Sequence, residues 1–251
     1  MKFSICMATY NGSSYLKPQI NSILSQMRDG DELVILDDVS QDDTLSVLQS
    51  FSGPNVRIYR NTKNLGHVQT FSKALSLATQ PFIIMADQDD IWVDGRLDKM
   101  RDALSRPDVW LVSTNFSCID SDGKSIVFTH PSLDASDSKK YFSNIVKILT
   151  GRVGYYGSAM AFKKELSYLV LPIPVYVEVH DHWISIAANL LGKNLHLNDK
   201  TLYRRIHGNN LSMVKRPLLR RFWGRVLSLI SLFHLIFRSF RTSYDFPIRI
   251  C

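Results

Sequence analysis

Through the first hundred residues, short apolar runs alternate with segments whose apolar positions recur every three or four residues. The runs FSICMAT (3–9), ELVILD (32–37), VRIYR (56–60) and FIIMA (82–86) read as strands, and the periodic segments near 14–26, 43–51, 67–79 and 94–105 as helices. Strand–helix alternation at this spacing predicts βαβ units, an α/β fold with a mostly parallel sheet flanked by helices. The second half is less regular. VWLVSTNFSCID (109–120) predicts a strand that SDGK turns back, YYGSAMAFKKEL a strand entering a helix, and HDHWISIAANLLG a helix closed by Gly192. Strand-like NLHLN and TLYRRI follow, so antiparallel pieces are expected beside the parallel core. No Pro/Gly-rich linker interrupts the chain, which predicts one domain to about residue 212, with a tail over 213–251.

The pattern changes after Pro217, in LLRRFWGRVLSLISLFHLIFRSFR. Its apolar run, 226–237, falls short of the ~20 residues a spanning helix needs. Charge separates the same segment. The net charge is +7, yet residues 1–214 hold 22 Lys/Arg and 22 Asp/Glu. Residues 215–241 hold Lys215, Arg216, Arg220, Arg221, Arg225, Arg238 and Arg241 and no acid. A basic amphipathic tail of this kind suits a helix lying in a membrane interface. A helix packed on the domain or on another subunit, with its arginines solvated, is the other reading. Nucleic-acid binding fits poorly, because the apolar run calls for burial.

Composition adds bounds. The 251 residues are 45% hydrophobic, enough for one substantial core. No repeat is present, and MKFSICMATYNG lacks the apolar stretch of a signal peptide. Cys6, Cys118 and Cys251 lie far apart without metal-ligand spacing, so a reduced cytoplasmic setting is expected.

Ligands of parallel sheets bind at the carboxyl ends of the strands, and the polar clusters fall there. Thr9, Tyr10 and Asn11 follow the first strand, Asp37 and Asp38 the second, Asn64 and Gly66 lie beyond the third, and Asp87–Asp90 follow the fourth. Asp87 and Asp89, one residue apart, suit a hard divalent cation, Mg²⁺ or Mn²⁺. Helix-start chemistry fits them too, with Asp90 or Asp94 as a cap. Asp181 suits the N-cap of the helix after it. Arg204 and Arg205 suit phosphate or a solvated edge strand, and Trp92 and Trp183 suit sugar stacking or packing.

In order, ICMATYNGSSYL, VILDDVSQDDT, NLGHVQTFSKAL, MADQDDIW, GSAMAFKKEL, HDHW and YRRIHGNN resemble the inverting family-2 glycosyltransferases with a GT-A fold, over nearly all of 1–212. DQDDIW, HDHW and YRRIHGNN are most similar to bacterial rhamnosyltransferases of surface polysaccharide assembly. The resemblance implies a nucleotide-sugar-binding half, 1–105, and an acceptor-binding, catalytic half, 106–212. It implies that Thr9, Tyr10, Asn11, Asp38, Asn64, Gly66 and Gln88 bind the donor, with Asp38 on the pyrimidine imide. Asp87 approaches ribose and metal, Asp89 ligates the metal, and His207 and Arg204 reach metal or diphosphate. Asp181 is the base; Trp92, Gly157, Ser158, His180, His182 and Trp183 form the acceptor side or the site wall. Val39 departs from the pattern, where many members have Gly. The implied reaction moves a sugar, L-rhamnose from dTDP-L-rhamnose or a hexose from a UDP-sugar, to a lipid-linked surface glycan at the cytoplasmic side of the plasma membrane. A nucleotidyltransferase and a non-catalytic assembly subunit are the rival classes. The first would show a basic Gly-rich loop, and the chain has no Lys or Arg after Lys2 until Lys17.

Overall fold

The computed structural model describes residues 1–208 and 217–245. Asn209 and Asn210 of the YRRIHGNN segment, Lys215, Arg216 and Cys251 lie outside the described residues. The four predicted strands form as β1 (Phe3–Thr9), β2 (Glu32–Asp37), β3 (Val56–Arg60) and β4 (Phe82–Ala86), all parallel in the order β3-β2-β1-β4. Between them run α1 (Ser13–Leu24), α2 (Thr44–Gln49) and α3 (His67–Ser76). Both faces of this block are covered, which is why its strands read as continuous apolar runs. Cys6, Val34, Leu36, Ile83 and Met85 pack toward α3 on one face. Ile5, Met7, Leu33, Ile35 and Ile84 pack toward α1 on the other.

The second half contains more than its periodicity showed. β5 (Ile91–Trp92) follows the acidic loop directly, before α4 (Arg96–Ser105). Next come β6 (Leu111–Ile119), β7 (Ser125–Ile126), an unpredicted α5 (Tyr141–Thr150), β8 (Met160–Lys163), α6 (Lys164–Val170) and α7 (His180–Leu190). NLHLN and TLYRRI are one strand, β9 (Asn194–Arg205), whose register against β6 shifts on either side of Asn115. The sheet runs β3-β2-β1-β4-β8-β6-β9-β5, with β7 beside β6. Four-residue β8 is antiparallel to both β4 and β6 and joins the two blocks. The tail forms α8 (Leu218–Asp245), whose inner residue Leu235 is fully buried in the core cluster that includes Trp183 of α7.

Candidate active site

Register brings the polar clusters to one edge. Thr9 is level with Asp37, and Met7 with Ala86, so the residues after β1, β2 and β4 emerge side by side. The β1–α1 loop is fastened by neighbours. Thr9 Oγ1 donates to Gln88 Oε1 at 2.6 Å, the Tyr10 N–H donates to the same oxygen at 2.9 Å, and Gln88 Nε2 donates to the Tyr10 carbonyl at 3.1 Å. The Asn11 and Gly12 N–H groups donate to Ser40 Oγ and Thr44 Oγ1 at 2.9 and 2.8 Å. These donors are spent within the protein, so the loop does not form the open phosphate cradle of a nucleotidyltransferase.

Asp38 is buried and heavily engaged. Oδ1 accepts from the Leu65 N–H and from Asn61 Nδ2, both at 2.8 Å, and Oδ2 from the Gly66 N–H at 2.9 Å. Asn64 Nδ2 donates to its carbonyl at 3.1 Å. Of the roughly four acceptor positions on a carboxylate, one on Oδ2 remains, which suits a single imide N–H. Next to it Val39 holds φ +67°, the left-handed region. That conformation is costly for a β-branched residue, and it explains physically why Gly suits the position.

The acids after β4 divide their partners. Asp89 Oδ2 lies 2.8 Å from His207 Nε2, while Asp87 Oδ1 faces His67 Nε2 at 3.9 Å. Burial, then the charge of Asp87, push Asp89 above the usual carboxylate range. Asp87 is held below it, because His67 and Arg204 outweigh burial. Asp90 does not start a helix: it is buried before β5, its Oδ1 takes the Arg205 N–H at 3.2 Å, and burial drives its pKa well up. Nor does Asp94 cap α4, which starts after Gly95 without a side-chain cap. Among the described residues no three His, Cys, Asp or Glu converge as a metal cage. Asp89 and His207 bring a carboxylate and an imidazole together at this edge. That donor set fits Mg²⁺ or Mn²⁺ completed by substrate phosphates.

Asp181 lies in the first turn of α7, with Val179 as the N-cap, so it is not the cap itself. Its Oδ1 stands 2.8 Å from His180 Nε2. Burial opposes its charge, yet His180, His182 and His67 outweigh burial and keep it ionised well below the usual range. Gly157 borders the same spot. A Cβ there would meet His180 Nε2 at 2.7 Å and Asp181 Oδ1 at 3.1 Å, so the absent side chain leaves room beside Asp181. His180 stacks on Phe71 at 4.8 Å and tilts against His67 at 4.8 Å. His67, the first residue of α3, thus joins the site without having stood out in the sequence. Its place immediately after Gly66, at a helix start on the ligand edge, was the available signal.

Two expected wall residues, Trp183 and Trp92, go elsewhere. Successive helical residues turn by about 100°, so Trp183, two after Asp181, points to the opposite side. It is fully buried and donates from Nε1 to the Val170 carbonyl at 2.8 Å. Trp92 is buried beneath the Arg96 guanidinium, 4.8 Å from its ring centre. His182 lines a cavity of about 230 Å³ between α5, α7 and α8 and still acts on Asp181 through its charge. Ser158 is buried with its side chain toward Asp90, and its carbonyl accepts from Arg96 Nη2 at 2.5 Å. The arginine pair also separates. Arg204 lies over the Tyr156 ring at 4.6 Å and lowers the pKa of Asp87. Arg205 is buried and braces the carbonyls of Asp89, Asp120 and Ser121 at 2.9–3.0 Å.

Comparison with known proteins agrees with this geometry. An uncharacterized glycosyltransferase of Nostoc sp. is 29% identical over 218 residues, 83% of this chain and 66% of its own. The UDP-Glc:alpha-D-GlcNAc-diphosphoundecaprenol beta-1,3-glucosyltransferase WfgD of Escherichia coli is 28% identical over 47% of each chain. The dTDP-rhamnosyl transferase RfbG of Shigella flexneri is 32% identical over 46% of this chain and 40% of its own. The chain thus spans about half to two thirds of the length of such relatives. The crystal structure of S. aureus TarS 1–349 with UDP-GlcNAc superposes with a TM-score of 0.71 at 18% identity, over 92% of this chain and 66% of that one, and shares the fold. The model of Glycosyl transferase family 2 matches residues 4–168, and the chain belongs to that family.

Proposed function

We propose that this protein is an inverting glycosyltransferase that moves a sugar from a nucleoside diphosphate to a hydroxyl of a lipid-linked surface glycan. The observation that carries the reading is the meeting, along one sheet edge, of Asp38, the Asp89–His207 pair and the Asp181–His180 pair. Each suits one part of a sugar nucleotide: base, diphosphate and anomeric carbon. The Asp38 Oδ2 position accepts the pyrimidine imide, and the fastened Thr9–Gln88 pair walls the nucleoside. Asp89 and His207 would hold Mg²⁺ or Mn²⁺, with Asp87 beside it toward the ribose; the cation supplies neutralising charge for the leaving diphosphate.

Asp181, ionised at neutral pH, accepts the proton of the acceptor hydroxyl as that oxygen bonds to the anomeric carbon. The bond from that carbon to the phosphate oxygen breaks on the opposite side, and its electron pair leaves with the diphosphate. Configuration inverts, and no covalent enzyme intermediate forms. His180 and Phe71 fix the orientation of the base, while Gly157 leaves space for the acceptor oxygen. Arg204, over Tyr156, adds positive charge toward the acids.

For the donor the reading favours dTDP-L-rhamnose, supported by the DQDDIW, HDHW and YRRIHGNN segments and by the similarity to RfbG. A UDP-hexose is the alternative, supported by WfgD and by the TarS complex. WfgD's diphosphoundecaprenol acceptor supports the lipid-linked acceptor, and the place of work is then the cytoplasmic leaflet of the plasma membrane. The test is a panel of dTDP-rhamnose, UDP-glucose and UDP-GlcNAc scored for donor turnover with Mg²⁺, Mn²⁺ and EDTA. One donor should be consumed only with a cation, and Asp89→Ala should abolish the cation response. Turnover that persists in EDTA would overturn the metal assignment, and no turnover of any nucleotide sugar would overturn the reading.

A further inference from the structure

α8 is 28 residues long, about 42 Å at 1.5 Å per residue, and its two faces are built differently. The inner face is fastened to the body. Arg238 donates to the carbonyls of Leu169 and Pro172 at 3.2 and 2.9 Å, and its guanidinium lies 5.2 Å from the Trp183 ring centre. His234 Nδ1 is 2.7 Å from the Tyr176 hydroxyl. On the outer face Leu219, Phe222, Leu229, Phe233, Phe237 and Phe240 are each 45–69% exposed. Their spacing, in steps of three, four or seven, puts them in one stripe along the helix. Trp223, 55% exposed, and Ile230 flank the stripe. At 100° per residue, Arg225 falls on one flank and Arg241 on the other, and both are exposed. No Asp or Glu occurs between residues 217 and 241.

A continuous row of exposed aromatic side chains calls for a cover. Among the described residues no helix is long and apolar enough to cross a membrane. A second copy of α8 would set arginine flanks against arginine flanks with no acid before Asp245 at its end, which opposes association. A headgroup layer carrying negative charge complements both flanks, and an indole at the edge of the stripe suits the depth where apolar and polar layers meet. We propose that α8 lies in the plane of an anionic lipid surface, its Phe222–Phe233–Phe240 stripe inserted among the acyl chains and Arg225 and Arg241 on headgroup phosphates. Because Arg238 ties α8 to Trp183 of α7, the lipid surface sets the orientation of the helix that carries Asp181. The proposal rests on the surface of α8 and stands independently of the transfer reaction.

The full chain is sedimented with vesicles of phosphatidylglycerol mixed with phosphatidylcholine, and with phosphatidylcholine alone. Binding is expected to the anionic vesicles, weakening as salt is added. Phe233→Ser with Phe237→Ser should weaken it by at least about tenfold, given the apolar area removed from the bilayer. Arg225→Gln with Arg241→Gln should erase the preference for anionic lipid. Trp223 emission should shift to the blue and be quenched by brominated acyl chains, and Trp223→Phe should remove that response. Trp92 and Trp183 are buried and Trp110 is half-buried against the core, and the Trp223→Phe variant subtracts whatever these three contribute. The proposal is overturned if wild-type protein ignores anionic vesicles, or if the double Phe variant melts normally and binds them equally well. It is also overturned if the chain sediments as a dimer that those Phe substitutions dissociate, since a second copy then covers the stripe. Should the double Phe variant fail to fold, bromolipid quenching of Trp223 in the intact chain decides.

Discussion

The nucleoside end and the transfer end of the candidate site hold their carboxylates in opposite ways. At the nucleoside end Asp38 takes hydrogen bonds from Leu65, Gly66 and Asn61, so its charge is neutralised by donors that belong to the fold. At the transfer end Asp87, Asp89 and Asp181 are paired with His67, His207 and His180. Imidazole neutralises a carboxylate only while protonated. Asp38 is thus held by groups whose charge does not change, with one acceptor position to spare, whereas Asp87, Asp89 and Asp181 each face an imidazole.

Substitutions test that contrast, and the largest effect belongs to the transfer end. Asp181→Asn should lower turnover by about 10²–10⁴-fold, the usual scale for a lost general base. Nucleotide affinity measured by calorimetry should stay unchanged. Turnover within a few-fold of wild type would place the base elsewhere. Asp38→Ala should act mainly on stability. It removes the partner of the half-buried Leu65 N–H and one of two partners of the Gly66 N–H and of the Asn61 amide, at about 2 kcal/mol in all, read as a fall in melting temperature of about 4–8 °C. An unchanged melt would mean that the 64–66 loop does not depend on Asp38.

Glu32 serves as a saturated carboxylate remote from the site. It accepts from Ser4, from the Thr79 N–H and hydroxyl, and from Arg57, all at 2.5–2.7 Å. Burial opposes its ionisation, but these donors prevail and lower its pKa from the ordinary 4.5. Its stabilising contribution is thus present above about pH 4.5 and lost as pH falls through the depressed folded-state value. Glu32→Gln should cost about 1–2 kcal/mol at neutral pH and flatten the acid limb of a stability–pH curve; an unaltered acid limb would remove it from the comparison. The smallest effect has the opposite sign. Val39→Gly should relieve the left-handed strain and stabilise by about 1 kcal/mol in denaturant melts. A loss of stability would show that the Val39 side chain is needed where it stands.

The buried parallel block was legible in the sequence because each of its strands is covered on both faces, so 3–9, 32–37, 56–60 and 82–86 coincide with β1 to β4. α5 escaped because exposed Phe142 and Val146 stand beside its buried Ile145 and Ile148 and blur the helical period. β5 has two residues, too few for any period, and β9 carries bulges that split one strand into two apparent ones. In the site, the acids were legible because three carboxylates in four positions conflict with an apolar run. Trp92 and Trp183 misled because neighbours in sequence point to different sides of a strand or helix. His67 and Arg205 went the other way: a residue without a motif role joined the site, and a candidate phosphate partner proved to be a brace.

The loop from Asp87 to Asp90 has a mechanical role in the sheet. β4 and β5 are separated by only these four residues, yet four strand pairings lie between them, through β8, β6 and β9. Laid flat, that path would be about 19 Å wide at ~4.8 Å per strand. The chain from Ala86 to Ile91 reaches about 18 Å when fully extended. The sheet must therefore curl, and the acidic segment is the chord across its arc. A chord clamped at both ends cannot swing outward to let its charges separate. The spacing of the carboxylates is therefore set by the strands at both ends of the loop, and His67 and His207 meet two of them there.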